Sequence, residues 1–258
     1  MSDTVGRFTA RVADYDRYRP GYPAAAFDAI LGPDGLDRPR DPGFEDPLVV
    51  DVGAGTGQAT RGLVLRVRRL IAIEPNPDMR ASLIANCPGV DVRDTTAEHT
   101  GLADASVDAV AMFQAFQWCD GAAALAEFAR ITRPGGRIAI VWNMPDRRDP
   151  FTAAYEDLVD HHGDATLAEA LPAGAGTAEQ FLASPLLLNA RTAVVTNEQR
   201  LDADGFRGRI GSVSYLPPPG PALDAILTAG DRIFARFARG DETLCLVYRT
   251  VVYVAERR

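Results

Sequence analysis

The segment VVDVGAGTG, residues 49–57, decides the fold because it joins two kinds of hydrophobic pattern. The apolar run 48–53 predicts a buried strand, and the stretch 58–67 that follows predicts a helix. The three glycines between them let the backbone turn tightly and approach a ligand closely, next to a helix N-terminus that favours an anionic group. The segment therefore predicts a strand–loop–helix unit with a ligand at the loop.

Apolar strands and helical patterns alternate along the chain on the C-terminal side of this segment. Strands are predicted over 69–74, 89–94, 107–113 and 137–143, and helices over 76–87 and 123–132. Such alternation indicates a parallel sheet that is covered on both faces, which makes the fold class α/β. Parallel sheets bind ligands at the carboxyl ends of their strands, where the strand order reverses. We therefore expect the chemistry there.

The remainder of the chain has a looser pattern. The RPGG stretch, residues 133–136, is expected to end the preceding helix with its glycines. Residues 32–47 are rich in Gly, Pro and Asp and predict an exposed loop, whereas 150–185 predicts helices and loops with a Gly-Ala link at 173–176. We interpret 150–185 as an insertion rather than a second folding unit. A helix is predicted over 221–239, and the Val- and Tyr-rich stretch 244–257 predicts a strand that completes the sheet.

The composition excludes several classes of protein. The chain has 258 residues with 47% apolar and 24% charged residues, which is typical of globular proteins. The net charge is −8, and all 27 basic residues are arginines scattered along the chain, which argues against binding to a nucleic-acid duplex. No apolar run approaches the roughly 20 residues of a membrane helix, and no signal peptide is apparent. We expect a cytoplasmic protein that does not bind a membrane.

The three cysteines do not form a recognisable site. Cys87, Cys119 and Cys245 are odd in number, far apart and without a C-x-x-C pair. This pattern supports neither a disulfide framework nor a zinc site, so we expect no metal and interpret all three as free thiols in the core.

The glycine loop lacks the features of two common nucleotide sites. A dinucleotide fingerprint needs a third glycine where Gln58 stands, and a P-loop needs a lysine, which the chain lacks entirely. An acid at Asp51 can pair with a cationic amine of a ligand. Glu74, at the end of the next predicted strand, can accept hydrogen bonds from two ribose hydroxyls.

Together, Asp51, the glycine loop and Glu74 resemble the class I S-adenosylmethionine-dependent methyltransferases, over residues 45–145. The resemblance implies a Rossmann-like, doubly wound, mostly parallel seven-stranded sheet with an antiparallel last strand and a helical cover. It also implies one domain over 1–258, in which 1–44 forms an N-terminal lid, 45–145 the cofactor-binding core, and 146–258 a substrate-cover insertion with the C-terminal strands.

The resemblance further implies which residues bind S-adenosylmethionine. The expected cofactor-binding residues are Tyr15, Arg19, Asp51, Gly53, Ala54, Gly55, Gly57, Glu74, Pro75, Met79, Thr96, Ala97, Glu98, Phe113 and Gln114. Thr96 stands where the family commonly has an aspartate beside the adenine. Because of this departure, we expect a hydroxyl or backbone groups to recognise the adenine.

Two further motifs resemble one subfamily, which includes trans-aconitate methyltransferases and many natural-product enzymes. Residues 113–118, FQAFQW, are similar to its Q-A-F-H-W stretch, with Gln117 in place of the histidine. Residues 15–23, YDRYRPGYP, are similar to its Y-x-x-Y-R-P-x-Y-P motif, which suggests a segment that folds over the cofactor. The resemblance therefore implies a small-molecule acceptor, and Gln117 and Trp118 are candidate catalytic residues.

Three functions remain open at this stage. The first is methyl transfer to O, N or C of a metabolite. The second is a cyclase or lyase reaction with bound S-adenosylmethionine, and the third is a non-catalytic protein, which the retained glycines and acids disfavour. If the acceptor needs a general base, His99 is the candidate, because His161 and His162 fall in an exposed helix. A carboxylate acceptor needs no base, since it is already deprotonated near neutral pH.

Overall fold

The computed structural model describes residues 12–32, 46–163, 175–238 and 243–258. Its helices are α1 Val12–Tyr18, α2 Ala24–Leu31, α3 Thr60–Leu63, α4 Pro77–Asn86, α5 Gly121–Ile131, α6 Pro150–His162, α7 Ala175–Leu182, α8 Ala203–Gly211 and α9 Pro221–Phe237. Its strands are β1 Leu48–Val52, β2 Arg69–Ile73, β3 Asp91–Arg93, β4 Val107–Phe113, β5 Thr132–Pro145, β6 Leu187–Leu201 and β7 Leu244–Arg257. Most of the predicted loop 32–47 lies outside the described residues.

The seven strands form one sheet in the order β3-β2-β1-β4-β5-β7-β6. The pairs β1–β2, β1–β4, β2–β3 and β4–β5 are parallel, and the last strands are antiparallel. The chain moves outward from β1 to β3 on one side and returns to β4 on the other. The order therefore reverses between β1 and β4, which creates a crevice at their carboxyl ends. The predicted α/β fold with a mostly parallel seven-stranded sheet is confirmed.

Strand β1 shows why this sheet is covered on both faces. Successive side chains of a strand point to opposite faces. Accordingly, Val50 and Val52 pack in one apolar cluster, whereas Val49 packs in a second one. All three are fully buried. A strand buried on both faces appears in the sequence as a continuous apolar run, and this is why β1 could be predicted.

The chain divides into two compact units. The sheet unit comprises the described residues of 21–142, 172–195 and 250–258, and the helical unit those of 1–20, 143–171 and 196–249. In the helical unit, α6, α8 and α9 bury an apolar cluster with the first part of β7. Aromatic rings dominate this cluster, and the rings of Phe151 and Phe206 lie 4.9 Å apart. The single domain over 1–258 stays a prediction.

The predicted boundary after α5 is wrong. Thr132, which directly follows the helix, is already extended and begins β5. The sheet register shifts between the pairs Val107–Thr132 and Ala109–Arg137. The residues at 133–136 are therefore extra residues within the strand, and their glycines serve this irregularity rather than the end of the helix.

Three other details differ from the sequence expectations. The helix predicted over 58–67 is a single turn, α3, centred on Gly62, where a Cβ atom would lie 2.3 Å from the Phe27 ring. Strand β6 occupies 187–201, to which no element had been assigned. It is the edge of the sheet and its side chains are largely exposed, so no apolar run marks it. The second half of the predicted 173–176 link belongs to α7.

The cysteines and histidines occupy ordinary positions. All three cysteines are free, but only Cys87 is buried; Cys119 and Cys245 are half-buried, so the expectation of three core thiols is wrong for these two. The described residues contain no cluster of metal-ligating side chains and no helix long and apolar enough to cross a membrane. His161 and His162 end α6 and are exposed, as predicted.

Candidate cofactor site in the sheet unit

The glycine loop follows β1 directly and adopts a backbone that favours glycine. Gly53, Gly55 and Gly57 have φ values of 66°, 60° and 93°, in the left-handed region. A Cβ atom at Gly53 would lie 2.7 Å from the Cβ of Ala115, which is too close for any side chain. The backbone of the loop therefore stays uncovered and can approach a ligand. Because α3 has only four residues, the expected helix N-terminal effect does not contribute.

Asp51 is a fully buried carboxyl group beneath this loop. Its Oδ2 accepts a hydrogen bond from Thr60 Oγ1 at 2.6 Å, whereas its Oδ1 is buried and has no partner among the described residues. Burial raises the pKa of Asp51 to about 7, and the nearby charge of Glu74 acts in the same direction. A buried acceptor without a partner costs free energy, so a cationic donor at Oδ1 would be strongly favoured.

Glu74 follows β2 and ties the end of this strand to the glycine loop. Its Oε2 accepts a hydrogen bond from the Gly55 N–H and its Oε1 from the Asn76 N–H, both at 2.8 Å. Burial raises the pKa of Glu74, although both backbone donors act in the opposite direction. Each carboxylate oxygen retains a further lone pair. Glu74 is therefore held in place and can still accept hydrogen bonds from two hydroxyls.

The start of α4 lies next to these acids. Asn76 caps the helix by accepting hydrogen bonds from the N–H groups of Asp78 and Met79, both at 3.0 Å. Met79 is buried, and its sulfur lies 4.0 Å from the position of a Cβ at Gly55, so it forms an apolar wall beside the loop. Pro75 is exposed.

The segment after β3 contributes a mixed surface. Ala97 is buried, whereas Thr96 and His99 are exposed. Glu98 is half-buried, and its Oε1 accepts a hydrogen bond from the Asp120 N–H at 2.9 Å, which connects this segment to the start of α5. His99 is thus an exposed side chain, and none of the described residues orients it as a partner of a general base would.

The segment after β4 is more strongly constrained. Gln114 has a φ of 51°, a strained value for a residue with a side chain, and such strain is concentrated at functional sites. The Gln117 amide is fixed at both ends: Nε2 donates to the Gln114 carbonyl and Oε1 accepts from Trp142 Nε1, both at 3.1 Å. Phe116 belongs to the core, whereas Trp118 is 41% exposed.

The N-terminal motif is divided between the two units. In the sheet unit, the ring of Tyr22 packs against the buried Phe113, with 4.7 Å between the ring centroids. In the helical unit, the Arg19 guanidinium lies over the Tyr15 ring at 4.8 Å. The expected contact of Tyr15 and Arg19 with the cofactor stays a prediction.

Sequence reasoning missed two residues that matter for these contacts. Thr60 orients Asp51, and Trp142 orients Gln117. In the helical unit, Arg209 is buried. The apolar pattern of 137–143 predicts that Trp142 is a core residue, but it does not predict the contact with Gln117. No motif surrounds Thr60 or Arg209.

Comparisons with known proteins agree with this arrangement. Residues 50–140 match the methyltransferase domain family. That range contains the second half of β1, the glycine loop, both buried acids and the strand ends described above. Over this range the chain is similar to methyltransferase domains.

Two relatives and one solved structure are similar to longer stretches of the chain. An uncharacterised methyltransferase of Mycobacterium tuberculosis is 40% identical over 157 residues, 61% of this chain and 60% of that protein. A malonyl-(acyl-carrier protein) O-methyltransferase of Dechloromonas aromatica is 36% identical over 115 residues, 44% of this chain and 43% of that one. The chain therefore spans about three-fifths or less of the length of these relatives. A structure from Anaeromyxobacter dehalogenans, described as a type II methyltransferase, is 25% identical with a TM-score of 0.68, over 93% of this chain and 98% of that chain.

Proposed function

We propose that this protein is an S-adenosylmethionine-dependent methyltransferase that acts on a small-molecule acceptor. The observation that supports it best is the buried Oδ1 of Asp51, which has no partner among the described residues and lies beneath a glycine loop tied to Glu74. A ligand that presents a cationic amine and two vicinal hydroxyls satisfies both acids. A pyrophosphate would bring negative charge to the same two carboxyls and is disfavoured.

Each residue of the site has a binding role in this proposal. Asp51 accepts a hydrogen bond from the amino group of the cofactor, and Glu74 accepts hydrogen bonds from its ribose hydroxyls. The glycine loop lies against the part of the cofactor that joins these two groups. In this proposal, Pro75, Met79 and the segment 96–98 border the adenine. Ala54, Phe113 and Gln114 line the side of the methyl group.

The chemistry needs little more than positioning from the protein. When bound, the cofactor supplies a methyl group that its positively charged sulfur already activates for displacement. The residues of the chain hold donor and acceptor in line and exclude water, which can lower the barrier by about 7–11 kcal/mol in the best case. Gln117 is an amide fixed by Trp142 and cannot accept a proton, so it acts by orienting the acceptor. This favours an acceptor atom that is already deprotonated near neutral pH.

The charge of the protein supports a small acceptor rather than a nucleic acid. The net charge is −8, and DNA carries one negative charge for about every 1.7 Å of helix axis. The retained carboxyls at the carboxyl ends of β1 and β2 add to this repulsion. The cytoplasmic location expected from the sequence stays a prediction.

The first test is calorimetric titration of the wild type with S-adenosylmethionine, S-adenosylhomocysteine and NADH. We expect binding of the two sulfur compounds alone. Asp51→Asn should weaken that binding at least tenfold, whereas Asp104→Asn, a matched change of an exposed carboxylate paired with Arg130, should leave it unchanged. A folded wild type that binds neither sulfur compound would contradict the proposal.

The second test separates methyl transfer from other reactions of the same cofactor. Mass spectrometry of candidate acceptors, incubated with enzyme and S-adenosylmethionine, should show a gain of one methyl group with matching formation of S-adenosylhomocysteine. An isomerised or cleaved product with the cofactor unconsumed would support a cyclase or lyase instead.

A further inference from the structure

The segment that follows β4 lies directly against the glycine loop. Ala115 makes the contact, because a Cβ atom at Gly53 would lie 2.7 Å from the Cβ of Ala115. The next nearest atom, Met112 Cε, would lie at 3.5 Å, which is an ordinary packing distance. Gly53 has no side chain that could move aside and packing in this region is close, so the position of the loop depends here on the position of Ala115.

The turn that carries Ala115 is strained and needs contacts to hold it. Gln114 has a φ of 51°, and a residue with a side chain keeps such a value only where its surroundings impose it. Two backbone hydrogen bonds flank the turn, from the Gln114 N–H to the Val141 carbonyl at 2.8 Å and from the Trp118 N–H to the Ala115 carbonyl at 2.9 Å. A third comes from the side chain of Gln117, whose Nε2 donates to the Gln114 carbonyl at 3.1 Å. That carbonyl belongs to the peptide group between Gln114 and Ala115, so the bond holds Ala115 in its orientation.

Trp142 decides which way the Gln117 amide faces. The indole N–H can only donate a hydrogen bond, and a backbone carbonyl can only accept one. Because Trp142 Nε1 donates to Gln117 Oε1 at 3.1 Å, the amide nitrogen has to face the Gln114 carbonyl. The reversed amide would place a donor against a donor and an acceptor against an acceptor, and both hydrogen bonds would be lost. Trp142 therefore selects the one orientation of Gln117 that supports the turn.

Trp142 is itself held by the core of the sheet unit. Its side chain is buried on β5 and belongs to the same apolar cluster as Val52, the last residue of β1. Its ring packs edge-on against Tyr253 of β7, with 5.8 Å between the ring centroids. A continuous series of contacts thus runs from this core through one indole and one amide to the turn after β4, and from Ala115 to the glycine loop.

We propose that Gln117 and Trp142 are positioning residues for the glycine loop, which keep Ala115 against Gly53 and thereby set the affinity for the cofactor. Neither side chain has to touch the cofactor for this role. The effect on cofactor affinity rests on the proposed function, whereas the effect on the loop does not. A neutral imidazole offers one donor and one acceptor, as the amide of Gln117 does, so a histidine at this position can hold the turn in the same way.

The first experiment measures hydrogen exchange of the glycine loop in the full-length protein without ligand, by mass spectrometry. The N–H groups of Ala54, Gly55 and Gly57 are all hydrogen-bonded, so they report on the order of the loop. Gln117→Leu removes both hydrogen bonds of the amide and should speed exchange of the loop by about threefold or more, while exchange of α9 in the helical unit stays as in the wild type. Gln180→Leu is the matched control, because Gln180 is an exposed glutamine on α7 of the same unit.

Two further variants separate positioning from general stability. Trp142→Phe keeps an aromatic ring but removes the donor, and it should speed exchange of the loop as Gln117→Leu does. Gln117→His, near pH 8 where an imidazole is neutral, keeps a donor and an acceptor and should restore the exchange of the wild type. If Trp142→Phe does not fold, the two variants of Gln117 decide alone. Loop exchange that is unchanged in Gln117→Leu, that rises equally in α9, or that stays fast in Gln117→His would overturn the proposal.

Calorimetric titration of the same proteins with S-adenosylmethionine tests the consequence for binding. Gln117→Leu and Trp142→Phe should weaken binding about fivefold, the loss expected for one hydrogen bond, and Gln117→His and Gln180→Leu should stay within about twofold of the wild type. A wild type that binds, with Gln117→Leu binding equally well, would overturn the assignment of these residues to cofactor affinity. A wild type that does not bind, with loop exchange that responds as expected, would contradict the proposed function and leave the positioning of the loop established.

Discussion

The two units each bury charge that their own side chains leave incompletely paired, but with opposite sign. In the sheet unit, Asp51 and Glu74 are buried carboxyls at the ends of neighbouring strands. In the helical unit, Arg19 and Arg209 meet at a buried serine. Burying a charge is costly, so each unit has to hold its charge with polar neighbours.

The difference between them lies in how each can relieve the cost. A carboxyl can take up a proton, and burial raises the pKa of Asp51 to about 7 for this reason. A guanidinium cannot release its proton in this range and must be solvated by neighbouring hydroxyls and rings. The acidic site therefore responds to pH, whereas the basic site responds to loss of its hydroxyl partners.

The largest expected effect comes from Asp51→Asn, which removes the buried acid but keeps its shape. Burial raises the folded-state pKa of Asp51 from 3.8 to about 7, so the folded protein binds this proton more tightly than the unfolded chain. The stability that this group contributes is fully present below about pH 4 and is lost as the pH rises through about 7. Near pH 8 the variant should be more stable than the wild type by up to about 4 kcal/mol, measured by urea unfolding.

Arg209→Met provides the contrast to this experiment. Its difference from the wild type should not vary between about pH 5 and pH 8 through titration of the arginine, because the guanidinium stays charged throughout. If Asp51→Asn and the wild type unfold with the same pH dependence, Asp51 ionises normally. The comparison between a titrating and a non-titrating site would then fail.

A smaller effect is expected for Glu74→Ala. This change removes a carboxylate that accepts from Gly55 and Asn76 and that we assign to the ribose hydroxyls. Hydrogen bonds to a charged group contribute about 1.5–3 kcal/mol, so S-adenosylmethionine affinity should fall roughly 10- to 150-fold in calorimetry. An unchanged cofactor affinity would remove Glu74 from the site.

Tyr248→Phe tests the other unit by removing a hydroxyl partner of Arg209. The phenol accepts from Arg209 and donates to Gln199, so its loss should cost about 1–2 kcal/mol of the free energy of unfolding. Tyr253→Phe, on the same strand, is the matched control, because its hydroxyl forms no hydrogen bond with a described residue. Equal stability of the two variants would mean that Arg209 does not depend on hydroxyl solvation.

The smallest effect is expected for His99→Ala. The side chain is exposed and only its backbone N–H bonds, to the Thr96 carbonyl at 3.3 Å. Stability should change by less than about 0.5 kcal/mol and cofactor affinity by less than twofold. Once an acceptor is known, the turnover rate decides the role of this residue. A large loss of turnover with normal binding would establish His99 as a general base after all.

Most of the sheet could be predicted because its central strands are buried on both faces and therefore form continuous apolar runs. Strand β6 could not, since an edge strand has exposed side chains and gives no such run. The glycines at 133–136 misled the prediction because a glycine pair suits a strand irregularity and a helix end equally. Only the pairing of β5 with β4 shows that these glycines belong to a strand irregularity and not to a helix end.

The sequence by itself determined the acidic site. The order strand, glycine loop, helix brings Asp51 and the loop together through local geometry, and the parallel pairing of β1 with β2 brings Glu74 beside them. Only the tertiary structure decided the burial of Arg209 and its meeting with Arg19 at Ser212. These residues come from distant parts of the chain. Burial is a property of the packed helices α6, α8 and α9, and no local sequence pattern encodes which charged residue such packing will enclose.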